Sequence, residues 1–371
     1  MIFEGRTHNG DCPRASVEKS NVSGIKKMEN QMKRYGNLYD KITDMDNLRV
    51  AFYKAAQGKH YQDKVKIVEE NCDEYLMRLK EMLEKGTYHT SQYATKQIYE
   101  PKERTIYILP FYPDRIAHHA IMNVLAPIMD SFMIYDSYAC RKEKGQHAGS
   151  KRCMQMVRRN LYCLKCDISK FYPSIDHDVL KSILKHKFKD KRLIALLNEI
   201  IDSTNTQTNV PIGNYLSQWF GNLYLNELDT KVKYELCVKD YIRYCDDFCF
   251  FSLDKEELRR IRTWLPKYLQ DTLKLRLSKC ELFPVSHGVD FLGYRHLPRY
   301  ILVRKRTAKG IKKHLKETMY LLKHGRISKD QALAKIASAK GWIKHANSHH
   351  YTMATHIDDL WKEVKHHKEV Q

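Results

Sequence analysis

The feature that most restricts how this chain can fold is a pair of adjacent aspartates, Asp246 and Asp247, inside the apolar segment 241–251. A solvated hairpin turn normally carries Gly or Asn, and its strands alternate polar with apolar residues. Here nearly all flanking residues are apolar or aromatic, so we predict a buried β-hairpin whose acids point into a cleft. Buried carboxylates without a partner are costly, and a bound divalent cation offsets that cost.

A second acidic strand end lies 79 residues before Asp246. The apolar segment 161–168 ends in Asp167 and Ile168. We predict that these residues join Asp246 and Asp247 in a site for two metal ions, about 3.5–4 Å apart, as in-line phosphoryl transfer requires. Such a site would activate a primer 3′-hydroxyl and stabilise a triphosphate and its leaving pyrophosphate. The predicted cofactors are two Mg²⁺ ions, with Mn²⁺ as a substitute.

The composition favours a polyanionic partner. The chain has 371 residues, with 65 Lys and Arg against 44 Asp and Glu, a formal net charge of +21. Such a field attracts nucleic acid, and a basic protein without that ligand is the alternative on charge alone. No run approaches the ~18–20 apolar residues of a membrane helix, and no signal peptide is apparent. We therefore expect a cytoplasmic protein with no membrane partner.

The periodicity of apolar residues predicts a mainly helical chain with short β-hairpins. Residues 1–27 show no period and are predicted to form a loose tail. Residues 39–83 are predicted to form two amphipathic helices that are split near Gly58. A hairpin with a basic tip is predicted within 88–109, and helices are predicted from Thr307 onward.

These motifs, in this order, resemble those of reverse transcriptases. The strand that ends at Asp167 resembles the first palm motif of that family. Tyr-Cys-Asp-Asp at residues 244–247 resembles the Tyr-x-Asp-Asp signature. The resemblance implies that Asp167 and Asp246 are the principal metal ligands and that Asp247 supports them.

The resemblance also implies a nucleotide pocket. Tyr172 stands where the family places an aromatic gate, whose ring would clash with a ribose 2′-hydroxyl and so select dNTPs; a core aromatic is the alternative. Lys279 matches the lysine that can protonate leaving pyrophosphate. The further dNTP contacts that the resemblance implies are Lys102, Arg104, Arg115, Arg141, Phe171, Gly213 and Gln218. The alternative for Lys102 is a solvated surface charge, and the alternative for Gly213 is a turn that starts a helix.

Further along the chain, the resemblance implies contacts with the primer and the duplex. Gly293 would allow the backbone to approach the primer closely. The primer grip implied by the resemblance consists of Phe291, Leu292, Gly293 and Tyr294. The basic helical tail resembles a thumb that clamps the duplex through its phosphates. Its implied nucleic-acid contacts are Lys313, Lys340, Trp342, Lys344 and His345.

The resemblance implies an α+β fold of the right-hand polymerase type, with fingers, a palm that contains an antiparallel sheet, and a helical thumb. A helical N-terminal extension is expected before the fingers. The expected units are a loose tail 1–27, the extension 28–95, fingers 96–160, a palm 161–298 with finger-side helices 176–205, and a basic thumb 299–371.

The implied function is RNA-directed DNA polymerisation, in which cDNA is made from dNTPs on a template RNA. Most reverse transcriptases carry Gln-Gly and Ser-Pro where this chain has Ile212-Gly213 and Ser217-Gln218. This departure is the pattern of bacterial or phage-encoded diversity-generating retroelements, and of some phage-defence reverse transcriptases. We expect the former role, with a cognate noncoding RNA as template and a small basic accessory protein as a further partner. Antiviral cDNA synthesis and a catalytically idle RNA-binding scaffold are the alternatives.

Overall fold

The computed structural model describes residues 34–99 and 103–366, so the predicted tail 1–27 and Lys102 lie outside the described residues. In these ranges, no helix is both long and apolar enough to cross a membrane. The described α-helices are α1 (Tyr39–Thr43), α2 (Met45–Ala56), α3 (Asp63–Glu70), α4 (Cys72–Lys85), α5 (Ile116–Phe132), α6 (Gln146–Arg159), α7 (Phe171–Ser174), α8 (His177–Lys187), α9 (Lys191–Asp202), α10 (Tyr215–Thr230), α11 (Lys255–Leu273), α12 (Lys305–Lys323), α13 (Lys329–Lys344), α14 (His349–Thr355) and α15 (Ile357–His366).

The described strands form three antiparallel sheets. They are β1 (Ala94–Ile98), β2 (Arg104–Ile108), β3 (Tyr162–Ile168), β4 (Asp240–Tyr244), β5 (Asp247–Ser252), β6 (Leu277–Pro284), β7 (Val289–Phe291), β8 (Tyr294–His296) and β9 (Ile301–Val303). β1 pairs with β2, the order of the central sheet is β4-β5-β3-β6, and β7, β8 and β9 form a third sheet. The expected α+β class with an antiparallel sheet is confirmed.

The central sheet is covered by helices on its two faces. α11 packs on β3, β5 and β6, while α6 packs on β4. Cys166 and Phe248 belong to one apolar cluster, whereas Cys163 and Cys249 belong to the other. Successive strand residues point to opposite faces, so a sheet buried on both faces needs apolar residues at nearly every position. This explains the uninterrupted apolar flanks around the acids.

The N-terminal helices share a hydrophobic core with the central sheet. Phe52 of α2, Leu125 of α5 and Leu164 of β3 are buried in the same cluster. In contrast, α12–α15 enclose a cluster of their own, which includes Leu315 and Ile336. The C-terminal helices therefore form a unit with its own core, which we call the C-terminal helical unit (α12–α15).

The prediction of two helices over residues 39–83 is wrong, because the structure has four there. The Asp44 side chain caps the start of α2 by accepting hydrogen bonds from the N–H groups of Asp46 and Asn47. Gly58, with φ +71°, follows the end of α2, and Asn71 separates α3 from α4. The apolar period of three and four continues across these breaks, so periodicity alone did not reveal them.

Candidate active site

The β4–β5 hairpin places two carboxylates at one end of the central sheet. Tyr244 pairs with Asp247 across the hairpin, so Cys245 and Asp246 form a two-residue turn. Cys245 has φ +52°, the left-handed conformation found in tight hairpin turns. Asp246 therefore lies in the turn itself, and Asp247 begins β5.

β3 brings Asp167 next to this turn. Asp167 is the register partner of Asp247 on β5 and of Lys279 on β6. Directly opposed residues share a face of the sheet, with Cβ atoms ~4.5–5.5 Å apart. The register shifts between Asp167 and Ile168, whose side chain is buried in the core. The structure thus brings Asp167, Asp247 and Lys279 together beside the turn that holds Asp246.

Asp247 has the most unusual environment of these acids. Its Oδ2 accepts a hydrogen bond from Lys165 Nζ at 3.1 Å, while its Oδ1 is buried without a hydrogen-bond partner. Burial raises the pKa of this carboxyl to about 6; Lys165 opposes the shift, and the nearby Asp167 and Asp246 add to it. A buried carboxylate oxygen that lacks a donor is one that a divalent cation would satisfy.

Lys165 is a candidate functional residue that the sequence analysis missed. Its side chain is only 16% exposed, and its ammonium contacts both Asp247 and the main-chain oxygen of Asp290 on β7. It lies two residues before Asp167, so the two side chains share a face of β3. A lysine inside a buried strand needs a carboxylate partner, and that signal could have identified it.

Asp167 is held by a neighbouring hydroxyl, because Ser278 Oγ donates to its Oδ2 at 2.8 Å. Among the residues that the structure describes, no group of three or more His, Cys, Asp and Glu side chains is arranged to hold a metal ion by itself. Mg²⁺ commonly binds one or two protein carboxylates and completes its shell with waters and substrate phosphates. The residues present therefore fit a cation that is shared with a bound nucleotide.

Tyr172 lies beside the turn formed by Cys245 and Asp246. Its ring and that of Phe171 have centroids 5.2 Å apart. Burial raises the pKa of the Tyr172 hydroxyl, and the neighbouring Cys245 and Asp246 raise it further. A Cβ at position 221 would lie 3.0 Å from the Phe171 ring and 3.1 Å from the Tyr172 ring, so Gly221 gives these rings room. The predicted gate is therefore close to the predicted metal ligands.

Gln218 and Gly213 lie at the start of α10. Gln218 is exposed, and its Oε1 accepts a hydrogen bond from Cys140 Sγ at 3.1 Å. Gly213 has φ +123°, and a Cβ there would lie 2.2 Å from the carbonyl oxygen of Tyr107 on β2. The Tyr107 N–H donates to the Ile212 carbonyl at 2.8 Å. Gly213 thus lets the β1–β2 hairpin pack against the start of α10.

We expect Gly213→Ala to destabilise the protein by at least about 1–3 kcal/mol, because a strained left-handed φ is combined with a backbone clash. Gly310→Ala is the matched control, since Gly310 lies within α12 and a Cβ there meets nothing within 4 Å. Replacing a helix-interior Gly by Ala should stabilise by up to about 1 kcal/mol. Urea unfolding of both variants measures this contrast, and equal midpoints would contradict the packing role of Gly213.

The predicted primer grip contains a second tight turn. Phe291 pairs with Tyr294, which leaves Leu292 and Gly293 in a two-residue turn with φ +54° and +80°. A Cβ on Gly293 would lie 2.6 Å from Trp342 Cζ3. In this structure, the close approach that Gly293 permits is therefore to the C-terminal helical unit.

The residues around this turn form a cluster that we call the histidine joint. It consists of His147 and Ser150 of α6, Tyr294 and His296 of β8, and Trp342 and His345 at the end of α13. The rings of His147 and His345 stack, with centroids 4.4 Å apart. Ser150 Oγ lies 2.7 Å from His296 Nε2 and 2.8 Å from His345 Nε2. The joint connects the C-terminal helical unit to α6 and β8.

Acidification should destabilise the histidine joint. Burial lowers the pKa of His296 and of His345 from 6.5 to about 4. The unfolded chain therefore binds more protons than the folded one between these values, so stability is lost as pH falls from 6.5 towards 4. The melting temperature of His296→Gln should fall less over this range than that of the wild type. The exposed His186→Gln should retain the wild-type slope, and an unchanged slope in His296→Gln would contradict this account.

A comparison with known protein families now identifies this arrangement. The family model described as "Reverse transcriptase (RNA-dependent DNA polymerase)" matches residues 96–296, more than half of the chain. The chain belongs to the reverse transcriptase family. Membership confirms the expected enzyme class, RNA-directed DNA polymerase. Reverse transcriptase domains generally use divalent metal ions, which agrees with the acidic strand ends described above.

Individual relatives of this reverse transcriptase are distant. Protein YkfC of Escherichia coli K12 is 25% identical over 273 residues, covering 60% of this chain and 70% of YkfC. The group II intron-encoded protein LtrA of Lactococcus lactis subsp. cremoris is 22% identical over 372 residues, covering 79% of this chain. This chain spans only 62% of LtrA. The structure of apo telomerase from Candida tropicalis aligns with 74% of this chain and 63% of that chain, at 13% identity and a TM-score of 0.43.

Arg141 of this reverse transcriptase is not placed as a free phosphate ligand. Its side chain is 7% exposed and is ion-paired with Asp130 through a 2.6 Å contact. It also donates to the carbonyls of Ile134 at 2.6 Å and Ser137 at 2.9 Å. These bonds fix the loop before α6, and the contact of Arg141 with template or triphosphate stays a prediction. The sequence did not predict the burial of Arg141, because a charged residue in a loop is usually exposed.

The other predicted basic contacts differ in exposure. Arg104 is exposed on β2, whereas Arg115 is half-buried, with its Nε 3.4 Å from the Leu109 carbonyl. In the C-terminal helical unit, Lys313 and Lys344 are exposed, while Lys340 is ion-paired with Asp358 at 2.6 Å. Trp342 and His345, predicted as nucleic-acid contacts, pack in the histidine joint.

Proposed function

We propose that this chain is an RNA-directed DNA polymerase that makes cDNA by two-metal phosphoryl transfer. The observation that carries the proposal is the register of Asp167 with Asp247, beside the turn that holds Asp246. The unsatisfied Oδ1 of Asp247 supports it, because that oxygen has the chemistry of a cation ligand.

In this proposal, Asp167 and Asp246 hold the metal ions, and Asp247 together with the main chain of Ile168 supports them. Two divalent cations, Mg²⁺ or its substitute Mn²⁺, would supply Lewis-acid stabilisation of the attacking 3′-oxygen and of the leaving pyrophosphate. Lys279 lies opposite Asp167 and is exposed, so its ammonium can donate a proton to pyrophosphate.

Other residues of the chain would position the substrates. The Tyr172 ring would exclude a ribose 2′-hydroxyl, with Phe171 packed beside it. Residues 211–218 would contact the incoming nucleotide or the template, through Gly213 and Gln218. Basic contacts to the triphosphate would come from Arg104, Arg115 and Lys102, because cationic side chains recognise phosphate.

We propose the units of a right-hand polymerase for the chain: an extension at 28–95, fingers at 96–160, a palm at 161–298 and a thumb at 299–371. The separate core of α12–α15 supports the thumb boundary. The thumb would bind duplex phosphates through Lys313, Lys340 and Lys344. The primer grip at 291–294 would place the primer end next to the central sheet.

We further propose that the enzyme serves a diversity-generating retroelement, copying a cognate noncoding RNA with the help of a small basic accessory protein. The motif of Ile212-Gly213 and Ser217-Gln218 supports this branch. The same motif favours an antiviral role, in which cDNA would be made on a noncoding RNA during phage infection. An idle RNA-binding scaffold is disfavoured, because a scaffold has no use for the buried Asp247 Oδ1, which lacks a hydrogen-bond donor.

Sequencing of cDNA and bound RNA from the native host would test this function. We expect cDNA that maps to one noncoding RNA, with none from cells carrying Asp246→Ala. A template repeat copied with mutations would support the retroelement role, whereas faithful cDNA that accumulates only on phage infection would support the antiviral one. Bound RNA without any cDNA under either condition would support the scaffold.

A further inference from the structure

Arg243 has the largest fully buried side chain among the described residues. It lies on β4, three residues before Asp246. Its Nε donates to Asp229 Oδ1 at 2.8 Å, and its Nη2 donates to Asp229 Oδ2 at 2.5 Å. Asp229, on α10, is equally inaccessible to solvent. A bidentate pair of this kind fixes the plane of the guanidinium.

The remaining N–H groups of Arg243 reach two further partners. Nη1 donates to Asn222 Oδ1 at 3.2 Å and to the main-chain oxygen of Cys245 at 3.1 Å, and Nη2 donates to the Asn222 carbonyl at 3.3 Å. An arginine has five N–H donors, and all five of them are used here. Asn222 is itself oriented, because its Nδ2 donates to the Ala139 carbonyl at 2.8 Å.

The bond to Cys245 reaches the turn that carries the catalytic acid. Cys245 has φ +52°, a conformation that costs a non-glycine residue free energy unless its surroundings hold it. The other partners of Arg243, Asn222 and Asp229, lie on α10, whose first turn contains Gln218. The guanidinium therefore connects the Cys245–Asp246 turn directly to α10, the helix proposed to contact the nucleotide.

We propose that Arg243 is a positioning residue that fixes the turn holding Asp246 relative to α10. This inference rests on the proposed polymerase function and assigns a role beyond it. Arg243 does not touch the substrate; it sets the distance between a metal ligand and the nucleotide-side helix. Small misplacements of a reacting group reduce turnover more than they reduce binding. We therefore expect the loss of Arg243 to lower kcat.

The test is to remove both buried charges together. Replacing a buried ion pair by apolar residues often leaves stability unchanged, whereas removing one partner alone is strongly destabilising. We expect the double variant Arg243→Met/Asp229→Leu to fold but to lose about tenfold to a hundredfold in kcat. Its KM for dNTP and its Kd for RNA should stay within about twofold of wild type, because it removes no contact with either.

Tyr241→Phe is the matched control. The Tyr241 hydroxyl donates to Asp229 Oδ1 at 2.8 Å, so its removal perturbs the same buried carboxylate and leaves the bond to Cys245 intact. We expect this variant to lower the melting temperature while kcat stays near wild type. Arg243→Lys is the second variant, since lysine keeps the charge but not the five-donor fork; we expect it to lose kcat in the same way.

Wild-type kcat in a folded double variant or in Arg243→Lys would overturn the inference. Loss of the fold in both variants would also overturn it, because Arg243 would then be required for folding rather than for positioning. If the wild-type protein bound primed RNA but incorporated no dNTP, the proposed polymerase function itself would be contradicted. That outcome is distinguishable from a failure of the role proposed for Arg243, which only the variants test.

Discussion

Asp246→Ala should reduce dNTP incorporation at least about 1,000-fold, since the loss of about 4 kcal/mol of transition-state stabilisation corresponds to three powers of ten. Asp247→Ala should have a comparable effect, although its carboxylate is partly neutralised by Lys165. RNA affinity should be nearly unchanged, because it depends on the excess of Lys and Arg over acids. Single-turnover incorporation and RNA-binding titrations measure the two quantities separately.

Asp271→Ala is a suitable control for the variants Asp246→Ala and Asp247→Ala. Asp271 is an exposed carboxylate near the end of α11, so its removal changes the net charge equally without touching the strand ends. We expect wild-type incorporation from this variant. If Asp246→Ala and Asp247→Ala lost RNA binding together with activity, the acids would be structural, and the assignment of a metal site would be wrong.

Tyr172→Ala should lower the discrimination of the enzyme against ribonucleotides by about tenfold to a hundredfold. A steric clash worth about 1–3 kcal/mol would disappear with the ring, which corresponds to that range. The ring lies beside Cys245 and Asp246, so the space that it vacates adjoins the turn proposed to hold a metal ligand. The ratio of kcat/KM for dNTP to that for the matching rNTP measures the effect.

The variant Tyr172→Phe distinguishes the contribution of the ring to sugar selectivity from that of the hydroxyl. The phenylalanine ring would still occupy the space next to Gly221 and Phe171, so we expect this variant to select dNTPs as the wild type does. Unchanged selectivity in Tyr172→Ala would instead assign Tyr172 to the hydrophobic core, which is the alternative that the sequence leaves open.

The sequence predicts the acidic residues of the site, because they interrupt the apolar pattern of the buried strands. A strand buried on both faces has almost no polar residues, so Asp167, Asp246 and Asp247 stand out against apolar flanks. The structure places them at adjacent strand ends, in the register that brings Asp167 opposite Asp247. The α+β class was implied by the resemblance to reverse transcriptases.

Contacts between distant segments could not be predicted in this way. The Lys165 bond to Asp290, the Arg243 bond to Asn222 and the packing of Trp342 against Gly293 each join segments that are far apart in the chain or on different elements. Charge and motif position say nothing about whether a polar side chain is already satisfied by such partners.

Primer extension on a defined RNA template, with Mg²⁺ and labelled dNTPs, tests the central claim most directly. Wild-type protein and Asp246→Ala should be compared in parallel, with RNA co-purified from the native host supplied in a second series. We predict cDNA whose sequence is complementary to the template, made by the wild type and not by the variant. Equal products from both proteins, or none from the wild type even with its co-purified RNA, would contradict the account.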